Sequence, residues 1–126
     1  MGGTMSKIRI KRMEKELLRL MNTTLQSTIR DDRLQWVTIS DIRLSPDFSF
    51  ARVYFTHLTD IDDDKLQELL TKSSGVFKDS IAKAHFMRII PELKFLPDDK
   101  AKEAQRLEEI FAKIHQEDRN TDADKN

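Results

Sequence analysis

The stretch SSGVFKDSIAKAHFMRIIPELKFLPD, residues 73–98, decides the fold. Gly75 is the only glycine beyond the Gly2-Gly3 pair, and it interrupts what would otherwise read as one long helix. Past it, Phe77, Ile81 and Ala84 recur on one helical face, Arg88 follows along the same direction, and Pro91 stops the run. Leu93 and Phe95 then alternate with Glu92 and Lys94, the period of a short strand. A helix bent at Gly75, offering backbone N–H groups and the positive end of its dipole, and followed by a strand, suits a polyanion.

Upstream of this stretch, Leu66, Leu69 and Leu70 form the inner face of a helix that Thr59 or Asp62 caps. Two strands precede it. Leu34 to Leu44 alternates as Val37, Ile39 and then slips to Ile42, Leu44, so a bulge is expected near Ser40-Asp41. Ser45-Pro46-Asp47 is a turn signal, and Ala51, Val53 and Phe55 make the returning strand. The chain opens with a helix from about Ile8 to Ile29. Its stripe is Ile10, Met13, Leu17, Leu20, Met21 and Thr24, and Asp31-Asp32-Arg33 ends it. Downstream, Asp98 opens a further helix over 98–115 with Ala104, Leu107, Phe111 and Ile114 on one face, before a polar, disordered tail at 116–126. Residues 1–6 read as a flexible N-terminus outside the fold, leaving 7–97 as the domain proper. The order α-β-β-α-α-β is an α+β fold, with helices on one face of a three-stranded sheet.

At 126 residues this is one domain, able to bury roughly two-thirds of its unfolded surface. Without cysteine there is no disulfide framework, thiol catalysis or cysteine-ligated zinc. No run approaches the roughly 20 apolar residues of a membrane span, and no secretory segment leads the chain, so a soluble cytoplasmic protein is expected. The net charge is zero but segregated. Residues 1–30 hold seven basic side chains, Lys7, Arg9, Lys11, Arg12, Lys15, Arg19 and Arg30, against Glu14 and Glu16. Residues 57–74 are the reverse, with Asp60, Asp62, Asp63, Asp64 and Glu68 against Lys65 and Lys72.

Catalytic and metal chemistry find little support. Three glycines cannot write a Walker A loop or a GxGxxG fingerprint. An EF-hand loop begun at Asp60 puts Lys65 where glycine is required and Thr71 where the bidentate glutamate belongs. His57, His85 and His115 lack metal-ligand spacing, and neither Ser45 nor Ser74 has a histidine base nearby in sequence. Asp47 reads as a turn residue and His85 as a core-edge residue. Phosphate recognition fares better. Lys78, Lys83, Arg88 and Lys94 cluster after the bend, with Lys83 read as solvated and Arg88 either free or paired with Glu92 or Asp98. Trp36, Tyr54 and Phe86 are the aromatic candidates for base stacking or for packing. So few exposed aromatics favour recognition of structured RNA through its backbone.

The ordered set of motifs resembles bacterial ribosome-binding factor A, over roughly Arg9 to Leu107. It comprises Arg9 and Arg12, Asp31-x-Arg33, Val37-Thr38, Ser45-Pro46-Asp47 with Ala51-x-Val53-Tyr54, Ser74-Gly75, Arg88-x-x-Pro91-Glu92-Leu93-x-Phe95, and Asp98. The resemblance implies a type II KH-like fold in which a bent Ala-x-Gly junction, here Ser73-Ser74-Gly75, replaces the GXXG loop. Serine stands here for alanine, Lys78 for the usual arginine, and His85 for leucine or methionine. Lys100 and Ala104 replace a serine and a glycine. The resemblance further implies a cytoplasmic, monomeric, non-enzymatic factor without cofactor or metal. It would bind small-subunit ribosomal RNA near the neck, preferring free or immature subunits, and assist late assembly and processing of precursor RNA. Arg9, Arg12, Lys78, Arg88 and Lys94 are the expected RNA contacts. The competing expectation is a protein–protein adaptor that uses the acidic helix start at 60–68 or the terminal helix.

Overall fold

The computed structural model describes residues 2–99, so the helix expected over 98–115 and the tail at 116–126 lie outside the described residues from residue 100 onward. The elements are α1 (Gly2–Ser27), a 3-10 turn (Asp32–Leu34), β1 (Val37–Leu44), β2 (Phe50–His57), α2 (Asp63–Lys72), α3 (Ser74–Ala84) and β3 (Glu92–Pro97). The sheet order is β1-β2-β3, with β1 and β2 antiparallel and β2 and β3 parallel. The α+β order expected from the periodicities is the one observed.

The core lies between the inner sheet face and the helices. From the strands come Val37, Ile39, Ile42, Leu44, Ala51, Val53, Phe55 and Phe95; from the helices Leu17, Met21, Leu25, Leu66, Leu69, Leu70, Phe77 and Ile81. Phe77 and Phe95 meet at a centroid distance of 5.5 Å and an angle of 42°, an offset contact that locks α3 onto β3. The slip in β1 is a true bulge: the pairing register shifts between Ile39 and Asp41, leaving Ser40 unpaired. The Ser40 hydroxyl instead reaches Asp98, just past β3, and the Asp98 N–H donates to the Phe55 carbonyl at 2.8 Å.

Helix α1 covers the free edge of β1. The Asn22 side chain accepts from the Ile39 N–H at 2.8 Å and donates to the Ile39 carbonyl at 3.0 Å, as a neighbouring strand would. Glu14 accepts from the Leu44 N–H at 2.8 Å. On the other side, the Gln67 amide donates to the Phe95 carbonyl at 2.6 Å. Strand edges left open invite pairing with other chains; here helix side chains occupy part of both.

Four expectations need correction. Helix α1 begins at Gly2 and not near Ile8, because the helical backbone continues upstream of the apolar stripe that marks it in the sequence. Strand β1 begins at Val37, since Asp32–Leu34 forms a 3-10 turn that buries Leu34. The junction between α2 and α3 lies within the expected Ser73-Ser74-Gly75, but the bend itself falls at Ser73 and not at Gly75. Ser73 has φ −89° and ψ 3°, its N–H is shared between the Leu69 and Leu70 carbonyls, and its hydroxyl donates to Leu69 at 3.1 Å. That serine back-bond is a known source of helix bending. Gly75 sits in the first turn of α3 without a positive φ, and a Cβ there would touch nothing within 4 Å. Finally, α3 ends at Ala84, well before Pro91. His85 takes a left-handed conformation (φ 60°), and its N–H donates to Ala82 at 3.3 Å. Both Ala84 and His85 are exposed, so neither belongs to the core face.

Candidate nucleic-acid interface

The segment leaving α3 turns back toward the first half of α1, and between them lies a cleft of about 350 Å³. Arg9 of α1 and Arg88 of the α3–β3 connection both line it, together with His85, and Met13, Phe48 and Met87 supply apolar surface. No carboxylate among the described residues lines this cleft. Glu92, one expected partner of Arg88, is taken by Lys78 at 3.0 Å, and Asp98 accepts from Ser40. Arg88 and Arg9 therefore make no ion pair among the described residues. Two guanidinium groups without a counter-ion among the described residues, beside apolar side chains, form a receptor for phosphate and sugar.

The other expected contacts are placed differently. Arg12 is exposed one turn along α1 from Arg9. Lys78 is committed to Glu92, a pairing that tethers α3 to the start of β3. An ion pair this exposed contributes at most about 1 kcal/mol, so a phosphate displaces Glu92 at little cost. Lys83 pairs with Asp79 at 2.9 Å, and that hydrogen bond raises its pKa; it is the solvated side chain expected. Lys94 points away from the cleft, on the open face of the sheet, where it lies in register with Arg52. Lys94 thus lies on a different surface from Arg9 and Arg88.

The junction is a weaker anion site than expected. The first N–H groups of α3 are partly consumed, because the Ser73 carbonyl accepts from Val76 at 3.0 Å and Phe77 at 3.2 Å. With α2 ending directly against it, the positive end of α3 also faces the negative end of another dipole. Among the aromatic candidates, Trp36 is exposed, at 58%, beside a broad cleft also lined by Arg30 and Ile29, whereas Tyr54 and Phe86 are half-buried. Among the described residues no group of His, Cys, Asp and Glu is arranged to hold a metal ion, and no helix is long and apolar enough to cross a membrane.

A sequence profile of the family described as Ribosome-binding factor A matches residues 9–111. The chain belongs to the ribosome-binding factor A family. Curated relatives of that name agree: the protein of Streptococcus mutans is 37% identical over 85% of this chain and 94% of its own. That of Latilactobacillus sakei is 32% identical over 89% and 97%. Among solved structures, ribosome-binding factor A from Thermus thermophilus superposes with a TM-score of 0.63 at 27% identity, covering 70% of this chain and 94% of that one. A homology model of the Thermus thermophilus factor, fitted into a cryo-EM map of a 30S complex, superposes at 0.58 with 28% identity, over 69% and 92%.

Several of the motifs that carry the family resemblance turn out to be structural. Asp31 grips Arg33 through the Arg33 backbone N–H and the Nε and Nη2 of its guanidinium, at 2.9 to 3.0 Å, and this bracket holds the carboxyl below its ordinary pKa. Asp47 organises the β1–β2 turn, accepting from the Ser49 and Ser45 hydroxyls at 2.7 and 2.8 Å and from the Ser49 N–H at 3.1 Å. Those bonds, Ser49's foremost, lower its pKa to about 2. It is the turn residue expected. Sequence reasoning missed Arg43 and Arg52 as surface cations. The alternation of Ala51, Val53 and Phe55 already turned Arg52 outward, but only the strand register shows what stands beside it.

Proposed function

We propose that this chain is a ribosome-binding factor that binds the small ribosomal subunit through its RNA, with preference for free or immature particles. It assists late assembly and processing of precursor RNA without catalysis. The observation that carries this reading is family membership together with the fitted Thermus thermophilus 30S complex of a structural neighbour. The cleft between Arg9 and Arg88 adds a local reason, since its guanidinium groups, without an ion-pair partner among the described residues, fit a phosphate backbone. In this reading Arg9, Arg12, Arg88, Lys94 and, after leaving Glu92, Lys78 contact phosphates. The factor acts as a cytoplasmic monomer and promotes maturation by binding one conformation of the RNA better than its competitors.

Co-sedimentation with free small subunits, whole ribosomes and precursor particles tests this. Retention on free or precursor small subunits, lost steeply as salt rises, is expected. Retention that ignores ionic strength would favour the adaptor reading through an apolar surface. Absence from every particle would remove the proposal.

A further inference from the structure

The outer face of the sheet carries a row that the sequence alone does not reveal. Arg43 of β1 stands opposite Arg52 of β2, and Arg52 stands opposite Lys94 of β3. The flanking pairs Ile42–Val53, Leu44–Ala51, Ala51–Leu93 and Val53–Phe95 belong to the inner face, so all three cations project outward. Neighbouring strands lie about 4.8 Å apart, which packs three positive charges into one line across the whole sheet. Only Arg43 has a carboxylate partner among the described residues, Asp41 at 3.1 Å.

The row does not stop at the sheet edge. A cleft of about 370 Å³ between the first half of α1 and the Leu44 end of β1 is lined by Lys7, Lys11, Arg43 and Arg52. The one carboxylate lining it among the described residues, Glu14, already accepts from the Leu44 N–H. Like charges placed directly opposite one another on adjacent strands destabilise a sheet. Arg43 and Arg52 form such a pair across antiparallel strands, and Lys94 adds a third cation beside Arg52 across the parallel ones, a cost that a bound polyanion would offset.

We propose that the open sheet face is a second RNA contact, a phosphate track that runs from Lys94 through Arg52 and Arg43 to Lys11 and Lys7. This rests on the RNA-binding reading above and extends it, because the track lies on a different surface from the Arg9–Arg88 cleft. Its ligand is the sugar-phosphate backbone of structured RNA. No base-specific contact is implied: the row offers positive charge, and the donor/acceptor code of base edges is not addressed by it.

The test pairs binding with stability. Arg52→Gln and Lys94→Gln are combined, with Lys72→Gln on α2 as the control for losing a positive charge elsewhere. Association with purified small subunits is followed across a potassium chloride titration. The double variant is expected to bind at least about tenfold more weakly, with the slope of log affinity against log salt reduced by about two. Its thermal midpoint should rise, since the repulsion along this row is relieved. Arg52→Lys should keep the wild-type slope. Wild-type affinity and slope in the double variant overturn the track. So does a fall in both midpoint and affinity, which would make the row a structural element of the sheet. If wild type binds and only the Arg9–Arg88 cleft is sensitive, the track fails while the RNA-binding reading stands. If wild type binds no small subunit, the reading itself fails.

Discussion

Asp47 and Gly75 show how differently two turn-associated residues act. Asp47 gathers three donors from Ser45 and Ser49, and its pKa falls to about 2. A carboxyl whose pKa is depressed on folding contributes stability that is complete above its unfolded value, near 4, and is lost as pH falls toward the folded one. Acid unfolding followed by circular dichroism should therefore show a steeper loss between about pH 4 and pH 2 in the wild type than in Asp47→Asn. Gly75 reads in the sequence as the origin of the helix break, yet the backbone turns at Ser73 and Gly75 is helical. A methyl group there meets open space. Gly75→Ala should accordingly raise stability in urea, by less than the roughly 1 kcal/mol that separates the two residues in a helix interior, since Gly75 lies in the first turn. A loss of stability would return the bend to the glycine.

At the level of elements, the edges of the sheet explain why the helices sit where they do. Asn22 behaves as a one-residue strand against Ile39, satisfying its N–H and carbonyl together. Asn22→Ala should cost about 2 kcal/mol, two hydrogen bonds at roughly 1 kcal/mol each, with no compensating partner for a half-buried strand edge. A cost below about 0.5 kcal/mol in chemical denaturation would show that water replaces the amide. Neither this bond nor the Glu14 bond to Leu44 is legible in the sequence, because both join residues far apart through backbone groups common to every residue. Periodicity, by contrast, is local. It gave the apolar stripe of α1, the bulge at Ser40, the alternation of β2 and the inward leucines of α2. It failed at the end of α3, where His85 adopts a left-handed cap that normally favours glycine and so carries no sequence signal. Of the expected contacts, Arg9 and Arg88 were brought together by tertiary packing that no spacing rule contains. Lys78 was drawn to Glu92 and Lys94 to the opposite surface.

Across the whole molecule, a neutral total conceals a division of labour. Among the described residues, carboxylates are densest around the start of α2, where Asp63 and Asp64 complement the helix dipole. His57 reaches Asp63 at 2.6 Å and ties the end of β2 to this acidic corner. The cations occupy α1, the segment after α3 and the open sheet face, and Arg9, Arg88, Arg52 and Lys94 have no ion-pair partner among the described residues. Such an asymmetric field orients the molecule on a polyanion and repels it in the opposite orientation. In the proposed mode of binding, the Arg9–Arg88 cleft grips the RNA of the small subunit. Affinity for purified free small subunits is determined across a potassium chloride series for wild type and for Arg9→Glu/Arg88→Glu, with circular dichroism confirming the fold. The account predicts tight, salt-sensitive binding by wild type, and at least tenfold weaker binding by the variant with a slope shallower by about two. A folded variant that matches wild type in affinity and slope would contradict it.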